Sequence, residues 1–288
     1  MALKISVAIA TWQRKTLLSR LILALEEQTV PRDDYEIIVC DSGSADGTSE
    51  MMVELCKRFT NIKYINLPIN TLSAKRNEGI RRASAPIVLF MDDDLQPVKT
   101  FLEAHLRAHN AGENVVFCGQ IRFPAKWIER SNYFRYRDSR HLGHTRPEIN
   151  HMDIPYMMLV VMNLSFKREE ILRRVGWVCE EFTHYGGEDH EFAYRISLAR
   201  IRIEFVEEAL AYHCEAGGSI GKYMKKMFVT ARDSAPLLQS LVPGVWDMGA
   251  LRYFEPSSPA DRMSMKVNKW TLRLATSPLF SKPVQTLL

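Results

Sequence analysis

The sequence lacks the features that mark several common classes of protein. Its 288 residues include five cysteines without a Cys-x-x-Cys pair, which predicts structural thiols in a reducing cytoplasm. No apolar run reaches the roughly 18 residues that a membrane-spanning helix needs. The first residues enter a strand-like segment directly, without the charged and apolar regions of a signal peptide. We therefore expect a cytoplasmic protein with no transmembrane segment.

Two nucleotide-binding motifs are also missing. The sequence contains no G-x-x-x-x-G-K-[ST], which disfavours a P-loop NTPase, and no G-x-G-x-x-G after its first strand, which disfavours a dinucleotide-dependent dehydrogenase. A net charge of +4 is too small to indicate nucleic-acid binding. It is compatible with a phosphate-bearing small ligand or an anionic membrane surface.

Short β-branched segments alternate with helical patterns over about the first 110 residues. This alternation predicts an α/β protein with a right-handed parallel sheet. Residues 122–157 show weak periodicity and are interpreted as a long binding or lid loop. The predicted strands are 5–10, 35–40, 62–66, 85–91, 115–119, 158–162 and 203–206, and helices are predicted over about 17–25, 51–59, 73–83 and 168–174 and after Glu188.

The most informative segment is an apolar strand that ends in three consecutive carboxylates, Asp92, Asp93 and Asp94. Adjacent like charges repel, and a divalent cation is the usual remedy because hard cations prefer carboxylate oxygens. Strand alternation would place Asp92 and Asp94 on one side and turn Asp93 away from the ligand. His213, which follows the late strand, would complete a site that suits Mn²⁺ better than Ca²⁺. A solvated acidic turn and a buried core histidine are the alternatives.

Five segments in chain order resemble the family 2 glycosyltransferases, which are nucleotide-sugar-dependent enzymes of the GT-A fold. The resemblance covers about residues 4–215. It implies a Rossmann-like mixed, mainly parallel sheet flanked by helices, with a catalytic domain over 1–215 and a C-terminal helical extension over 216–288. Residues 1–110 would form the nucleotide-binding half and 111–215 the acceptor-binding half. The five segments are 5–14, 37–48, 74–80, 88–94 and 186–192.

The same resemblance implies roles for individual residues. A divalent metal, Mn²⁺ or Mg²⁺, would be held by Asp92, Asp94 and His213. Asp189 would act as the base in an inverting displacement, with Glu188 as the neighbour that raises its pKa or as the alternative base. The Gly-Gly-Glu-Asp segment also resembles one in enzymes that retain configuration, so the stereochemistry stays open. The resemblance implies a UDP-sugar as the donor. Contacts with this nucleotide sugar would come from Thr11, Arg14, Asp41, Ser44, Arg76, Asp92 and Asp93.

Two other functions remain as alternatives. A nucleotidyltransferase also uses acidic metal ligands on an α/β sheet, but its glycine-rich loop after the first strand is absent. A non-catalytic nucleotide-sugar-binding module would keep the fold without turnover. The acceptor is open among saccharides, lipid-linked saccharides, peptides and small molecules, and the oligomeric state is not indicated. Candidate acceptor contacts in the 120–160 region are His141, His144, Arg146 and Tyr156.

A basic amphipathic helix is predicted after about residue 219. Lys222, Lys225 and Lys226 interleave there with apolar residues. One interpretation is a peripheral contact with the cytoplasmic face of a membrane. The other, which we favour from the sequence, is a helix packed on the catalytic domain with a solvated basic face. The sequence assigns no role to residues 245–288.

Overall fold

The computed structural model describes residues 2–141, 145–215, 217–245, 259 and 261–276. His144 and most of the 245–288 tail therefore lie outside the described residues. The strands of the described part form one sheet in the order β3-β2-β1-β4-β7-β6-β8-β5. They are β1 (Ile5–Thr11), β2 (Tyr35–Asp41), β3 (Ile62–Asn66), β4 (Ile87–Asp92), β5 (Leu95–Pro97), β6 (Val115–Arg122), β7 (Asn163–Lys167) and β8 (Arg202–His213).

The helices alternate with the strands in the first half of the chain, as the sequence predicts. They are α1 (Lys15–Glu26), α2 (Thr48–Arg58), α3 (Leu72–Arg82), α4 (Phe101–Ala111), α5 (Ala125–Arg130), α6 (Asn132–His141), α7 (Arg168–Arg174), α8 (Glu188–Leu198), α9 (Ile220–Val229), α10 (Ala235–Leu241) and α11 (Met263–Thr276). The chain divides into two compact units, one of residues 1–183 and 188–217 and the other of residues 184–187 and 218–288. Among the described residues, no helix has both the length and the apolar character to cross a bilayer.

The sheet is mixed, and its α/β character is confirmed. β1 pairs in parallel with both β2 and β4, whereas β7 runs antiparallel to β4 and β6. Every residue of β1 is buried, as expected for a central strand with helices on both faces. The core consists of two hydrophobic clusters. Ile5, Val7 and Ile9 pack in one of them and Ala8 packs in the other, so alternate side chains of β1 lie on opposite faces of the sheet.

The register of the sheet brings several polar residues to one edge. Thr11 lies opposite Asp41, and Ala10 lies opposite Asp92, so β1, β2 and β4 end at nearly the same level. At the other side of the sheet, Leu95 pairs with His213. The carboxyl edge is where open α/β sheets bind their ligands.

Two segments differ from the prediction. The strand expected at 158–162 is wrong, because Tyr156–Met158 is a 3-10 turn and β7 covers Asn163–Lys167. The error arises because β7 carries buried polar residues, while the apolar residues before it are buried in a loop. The irregular stretch predicted at 122–157 contains α5 and α6. The sequence pattern of α6 is weak because Asp138 is its one buried residue.

The buried polar residues of β7 bind two histidines of α4. Nδ1 of His105 lies 2.8 Å from Oγ of Ser165, and Nε2 lies 2.9 Å from Oδ1 of Asn163. Nε2 of His109 is 2.9 Å from the same Ser165 Oγ. Burial lowers the pKa of His105 to about 4 and that of His109 to about 3. Both imidazoles are therefore neutral at pH 7, and charging them opposes folding.

Substituting His109 with Gln should weaken the dependence of stability on pH. The unfolded histidine binds a proton near pH 6.5, whereas the folded one resists it to about pH 3, so stability is lost as the pH falls below 6.5. We expect His109→Gln to reduce the loss of unfolding free energy between pH 7 and pH 5 by about 2 kcal/mol, measured by urea denaturation. An unchanged dependence in His109→Gln would contradict the account.

Candidate functional site

Charged side chains from five segments meet at the carboxyl edge of the sheet. They come from the turn after β1, from α3, from the turn between β4 and β5, from the start of α8 and from the end of β8. Six are carboxylates, and three are basic side chains that pair with or lie near them. The carboxylates are Asp92, Asp93, Asp94, Glu188, Asp189 and Glu215, and the cations are Arg14, Lys75 and Arg76.

Asp94, His213 and Glu215 form a candidate metal centre. One ligand atom from each residue lies within 4.8 Å of the other two, and Nε2 of His213 is 3.2 Å from Oδ2 of Asp94. The pairing of Leu95 with His213 brings the acidic turn, residues 92–94 between β4 and β5, close to the end of β8. Two carboxylates and an imidazole are ligands that Mn²⁺ accepts. Sequence reasoning missed Glu215, although its position two residues beyond His213 was the available signal.

Asp93 does not follow the orientation expected from strand alternation. The assumption that residues 92–94 continue the strand is wrong, because β4 ends at Asp92 and residues 93–94 form a turn. The side chain of Asp93 is buried and accepts a hydrogen bond of 2.7 Å from Oγ1 of Thr11. Burial, together with the charge of Asp94, raises the pKa of Asp93 to about 7. Asp93 thus belongs to the buried part of the acidic turn.

Arg76 connects the acidic turn to the start of α8. Its Nη2 donates to Oδ1 of Asp92 at 3.3 Å, and its Nη1 donates to Oε1 of Glu188 at 3.1 Å. Only 5% of its side chain is exposed. Asp92 is paired in this way and is not part of the group formed by Asp94, His213 and Glu215. Its role as a metal or ribose ligand stays a prediction.

Helix α3 reaches this position because it lies unusually close to β1. A Cβ atom added to Gly79 would be 2.6 Å from the Cβ of Ala8, so glycine is needed at that contact. Lys75, on the same helix, is 6% exposed and donates to the carbonyl oxygen of Thr11 and to Oδ1 of Asn70, both at 3.0 Å. Burial lowers the pKa of Lys75, although Asp93 and Asp41 act in the opposite direction. This lysine is not among the site residues predicted from the sequence.

The acidic pair on α8 occupies two different environments. Glu188 is buried, and burial together with the charge of Asp189 raises its pKa to about 7 despite Arg76. Asp189 has 35% of its side chain exposed, and its Oδ1 lies 3.2 Å from Nδ1 of His190. Burial raises the pKa of Asp189, but the charge and hydrogen bonds of His190 outweigh it and hold that pKa well below its usual range. The raised pKa therefore belongs to Glu188, the reverse of the expectation.

Asp41 organises the loop after β2. Its carboxylate is fully buried and accepts hydrogen bonds from the backbone N–H groups of Ser42 and Ser44, from Oγ of Ser44 and from the hydroxyl of Tyr64. These four donors match the roughly four acceptor positions of a carboxylate. The predicted contact with a nucleotide base therefore requires one of them to give way. Ser44 also accepts from the backbone N–H of Gln13 at 2.7 Å, which joins this loop to the turn after β1.

Comparison with known proteins gives both a family and a fold. The family model described as glycosyl transferase family 2 matches residues 6–165. A chondroitin synthase of Escherichia coli is 29% identical over 247 residues, covering 74% of this chain and 35% of that protein. The chain spans between about a quarter and about a half of the length of such curated relatives.

Two solved structures share the fold. Residues 1–349 of Staphylococcus aureus TarS in complex with UDP superpose with a TM-score of 0.60 at 19% identity, covering 92% of this chain and 77% of that one. A mannosyltransferase of Pyrobaculum calidifontis in complex with GDP-Man and Mn²⁺ gives a TM-score of 0.63 at 18% identity, covering 98% and 83%. The GT-A-like architecture is confirmed by these likenesses.

Removing Arg76 should expose the cost of the buried carboxylates. Arg76→Met leaves Asp92 and Glu188 without their cation, and breaking a buried pair in this way costs about 3–5 kcal/mol. We expect urea denaturation of the metal-free protein to show a loss of this size. Adding Glu188→Gln should recover part of the lost unfolding free energy, because it removes one of the two buried carboxylates that have lost their ion pair.

The control for this experiment is Arg81→Met on the same helix. Arg81 is half-exposed and pairs with Glu78, so its loss should cost well under 1 kcal/mol. Equal losses in Arg76→Met and Arg81→Met, or no recovery in the double variant, would show that Arg76 does not hold the two carboxylates together.

Proposed function

The chain belongs to glycosyl transferase family 2, and from this premise we propose that it transfers a sugar from a nucleotide-diphosphate donor, a UDP-sugar, to an acceptor hydroxyl. The observation that carries the proposal is one edge of the sheet that holds both a candidate metal centre and a pair of carboxylates with separated pKa values. The first group suits a diphosphate, and the second suits proton removal from a hydroxyl.

The residues of the candidate metal centre fit a divalent cation. Asp94, His213 and Glu215 supply oxygen and nitrogen donors, and the guanidinium of Arg14 already lies between the two carboxylates as a cation. Carboxylates also outnumber cationic side chains in the described part of the site. A bound Mn²⁺ or Mg²⁺ would neutralise the charge that develops on the departing diphosphate. Asp92 is proposed as a further ligand or as a contact to the ribose.

Asp189 is proposed as the base. It is the more accessible of the two carboxylates, and its low pKa keeps it ionised at pH 7, although the same low pKa makes it a weaker base than Glu188. His190 holds its carboxylate in place and would share the charge change when the proton arrives. The acceptor hydroxyl would then attack the anomeric carbon from the face opposite the diphosphate, which inverts the configuration. Glu188 is the alternative base, because its pKa of about 7 is closer to the operating pH.

The donor side of the site is proposed to use the residues that the family resemblance selects. Thr11 is the last residue of β1, and the turn that follows it is hydrogen-bonded through Gln13 to Ser44 in the loop after β2, which Asp41 anchors. Arg76 would orient Asp92 beside the donor. The turn after β1 contains no glycine, so the loop of a nucleotidyltransferase is absent here as well. The acceptor is proposed to be a saccharide, a lipid-linked saccharide or a small molecule.

A peripheral contact with a membrane is proposed for α9, within the second compact unit. Met224 is 46% exposed and Phe228 is 64% exposed, and they share a helix face with the exposed Lys225. Apolar and cationic side chains on one face suit an anionic lipid surface. All five cysteines are free thiols, which is consistent with a reducing cytoplasm as the location.

The membrane contact can be tested by sedimentation with vesicles that contain about a third phosphatidylserine. Lys222→Gln/Lys225→Gln should lower binding by about thirtyfold, since each basic residue near such a surface contributes about 1 kcal/mol. The matched control is Lys57→Gln/Lys99→Gln, which removes two exposed lysines elsewhere and should not change binding. Equal binding by both double variants would contradict the proposal.

The activity is tested by incubating the protein with a panel of nucleotide sugars and Mn²⁺ and measuring the release of UDP or another nucleoside diphosphate. We expect release from one donor. Asp189→Asn should reduce transfer at least about a hundredfold, because proton removal is lost, while binding of the donor stays near the wild-type value. Asp33→Asn, at an exposed position on the opposite edge, is the control.

Other outcomes separate the alternatives. Pyrophosphate release from a nucleoside triphosphate would identify a nucleotidyltransferase, and binding without turnover would identify a non-catalytic module. If Asp189→Asn keeps near-wild-type turnover while Glu188→Gln abolishes it, the base is Glu188.

A further inference from the structure

Arg14 lies where a cation would bind to the candidate metal centre. Its Nη1 donates to Oδ2 of Asp94 at 3.3 Å, and its Nη2 donates to Oε1 of Glu215 at 3.0 Å. The same Asp94 oxygen is 3.2 Å from Nε2 of His213. One guanidinium thus bridges the two carboxylates of the group and faces the atom that joins them to the histidine.

The backbone around Arg14 places the guanidinium at this point. Gln13 adopts a left-handed conformation with φ of 56°, which is uncommon for a residue other than glycine. Its N–H donates to Oγ of Ser44, and the carbonyl oxygen of Arg14 accepts from the N–H of Leu18 in the first turn of α1. The turn is therefore fixed on both sides of Arg14. The side chain itself is 31% exposed.

A metal ion and Arg14 cannot use these oxygens in the same way at once. A divalent ion such as Mn²⁺ or Mg²⁺ needs carboxylate oxygens at about 2.0–2.2 Å and leaves no room for N–H donors on the same lone pairs. Its double charge would also repel the guanidinium at that distance. The two cations therefore compete for Asp94 and Glu215.

We propose that Arg14 is a competing cation that occupies the metal centre of the donor-free protein and is displaced when the ion binds with the donor. The inference deepens the proposed function and rests on it. Arg14 offsets part of the negative charge of Asp94 and Glu215 before the ion arrives, which reduces the repulsion between the two carboxylates. Displaced Arg14 then finds a new partner in the diphosphate of the nucleotide sugar, for which a guanidinium is suited.

This exchange couples the two ligands. The ion alone must break the Arg14 ion pairs without replacement, so it binds weakly to the donor-free protein. With the donor present, the displaced guanidinium regains a charge-assisted hydrogen bond, and the ion binds more tightly. By linkage, the ion raises the affinity for the donor by the same factor. The centre would then be filled mainly when there is a diphosphate to act on.

The direct test measures the affinity for Mn²⁺ by the decrease of the free-ion electron paramagnetic resonance signal, with and without UDP. In Arg14→Met we expect tighter binding of Mn²⁺ without UDP, by at least about fivefold, because the competitor is gone. We also expect UDP to increase that affinity by a smaller factor than in the wild type. Chelation of Mn²⁺ by UDP in solution is common to all proteins and cancels in the comparison.

Two matched variants serve as controls. Arg107→Met removes one positive charge at an exposed position on α4, where Arg107 lies 3.8 Å from Glu208, and should leave both affinities unchanged. Arg14→Lys keeps the charge without the forked donors and should give intermediate values. The wild-type protein can also be tested without a substitution. A dicarbonyl reagent modifies arginine side chains, and peptide mass spectrometry measures how fast it modifies Arg14. Mn²⁺ with UDP should change that rate, whereas the rate at Arg107 should not change.

The outcomes separate this inference from the proposed function. Wild-type binding of Mn²⁺ that is equal to or tighter than that of Arg14→Met overturns the competing role while leaving the metal centre intact. If neither protein binds Mn²⁺ with or without UDP, both the inference and the proposed metal centre are wrong. Tighter binding in Arg14→Met supports the inference even if no sugar donor has been identified.

Discussion

The excess of carboxylates at the carboxyl edge of the sheet is the constraint on which the rest of the site depends. β1, β2 and β4 end at nearly the same level, which places Asp41 and Asp92 at this edge. The turn after β4 adds Asp93 and Asp94, and the pairing of β5 with β8 brings Asp94 close to His213 and Glu215. Like charges held this close require counter-ions. Arg14 and Arg76 meet that need at opposite ends of the acidic turn, and they divide the edge into a part that can exchange its cation and a part that cannot.

The difference between the two arginines lies in burial. Arg76 is almost completely enclosed and holds Asp92 and Glu188 at once, so it ties the end of β4 to the acidic pair of α8. Arg14 is partly exposed, and it follows Gln13 in a turn that backbone hydrogen bonds hold on both sides. Helix α3 places Arg76 beside Asp92 and Glu188 because Gly79 lets the helix pack closely against β1. A rigid link and an exchangeable cation thus arise from the packing of two neighbouring segments.

The sequence predicted those parts of the fold in which local pattern and tertiary environment agree. β1, β2 and β4 consist mainly of buried apolar residues, and the limits of β3 match the predicted 62–66. The strand predicted at 158–162 was wrong because β7 carries buried polar residues: Asn163 and Ser165 are hydrogen-bonded to His105 and His109, which no hydrophobic pattern reveals. Asp94 and the Glu188–Asp189 pair were selected as acidic residues after strand-like runs that match the family motifs, and His213 because it follows the late strand; their roles stay predictions. Glu215 was missed although it lies two residues beyond His213, and Lys75 because only its contact with the end of β1 brings it to this edge.

The central claim is that the carboxyl edge holds a divalent ion by displacing Arg14. Its most direct test is a crystal structure of the protein with Mn²⁺ and UDP, in which anomalous scattering locates the ion. We expect the ion to bind Asp94 and His213, with Glu215 as a ligand or neighbour. The guanidinium of Arg14 should have moved to the phosphates of UDP. An ion bound elsewhere, or one bound at this edge while Arg14 still bridges Asp94 and Glu215, would contradict it.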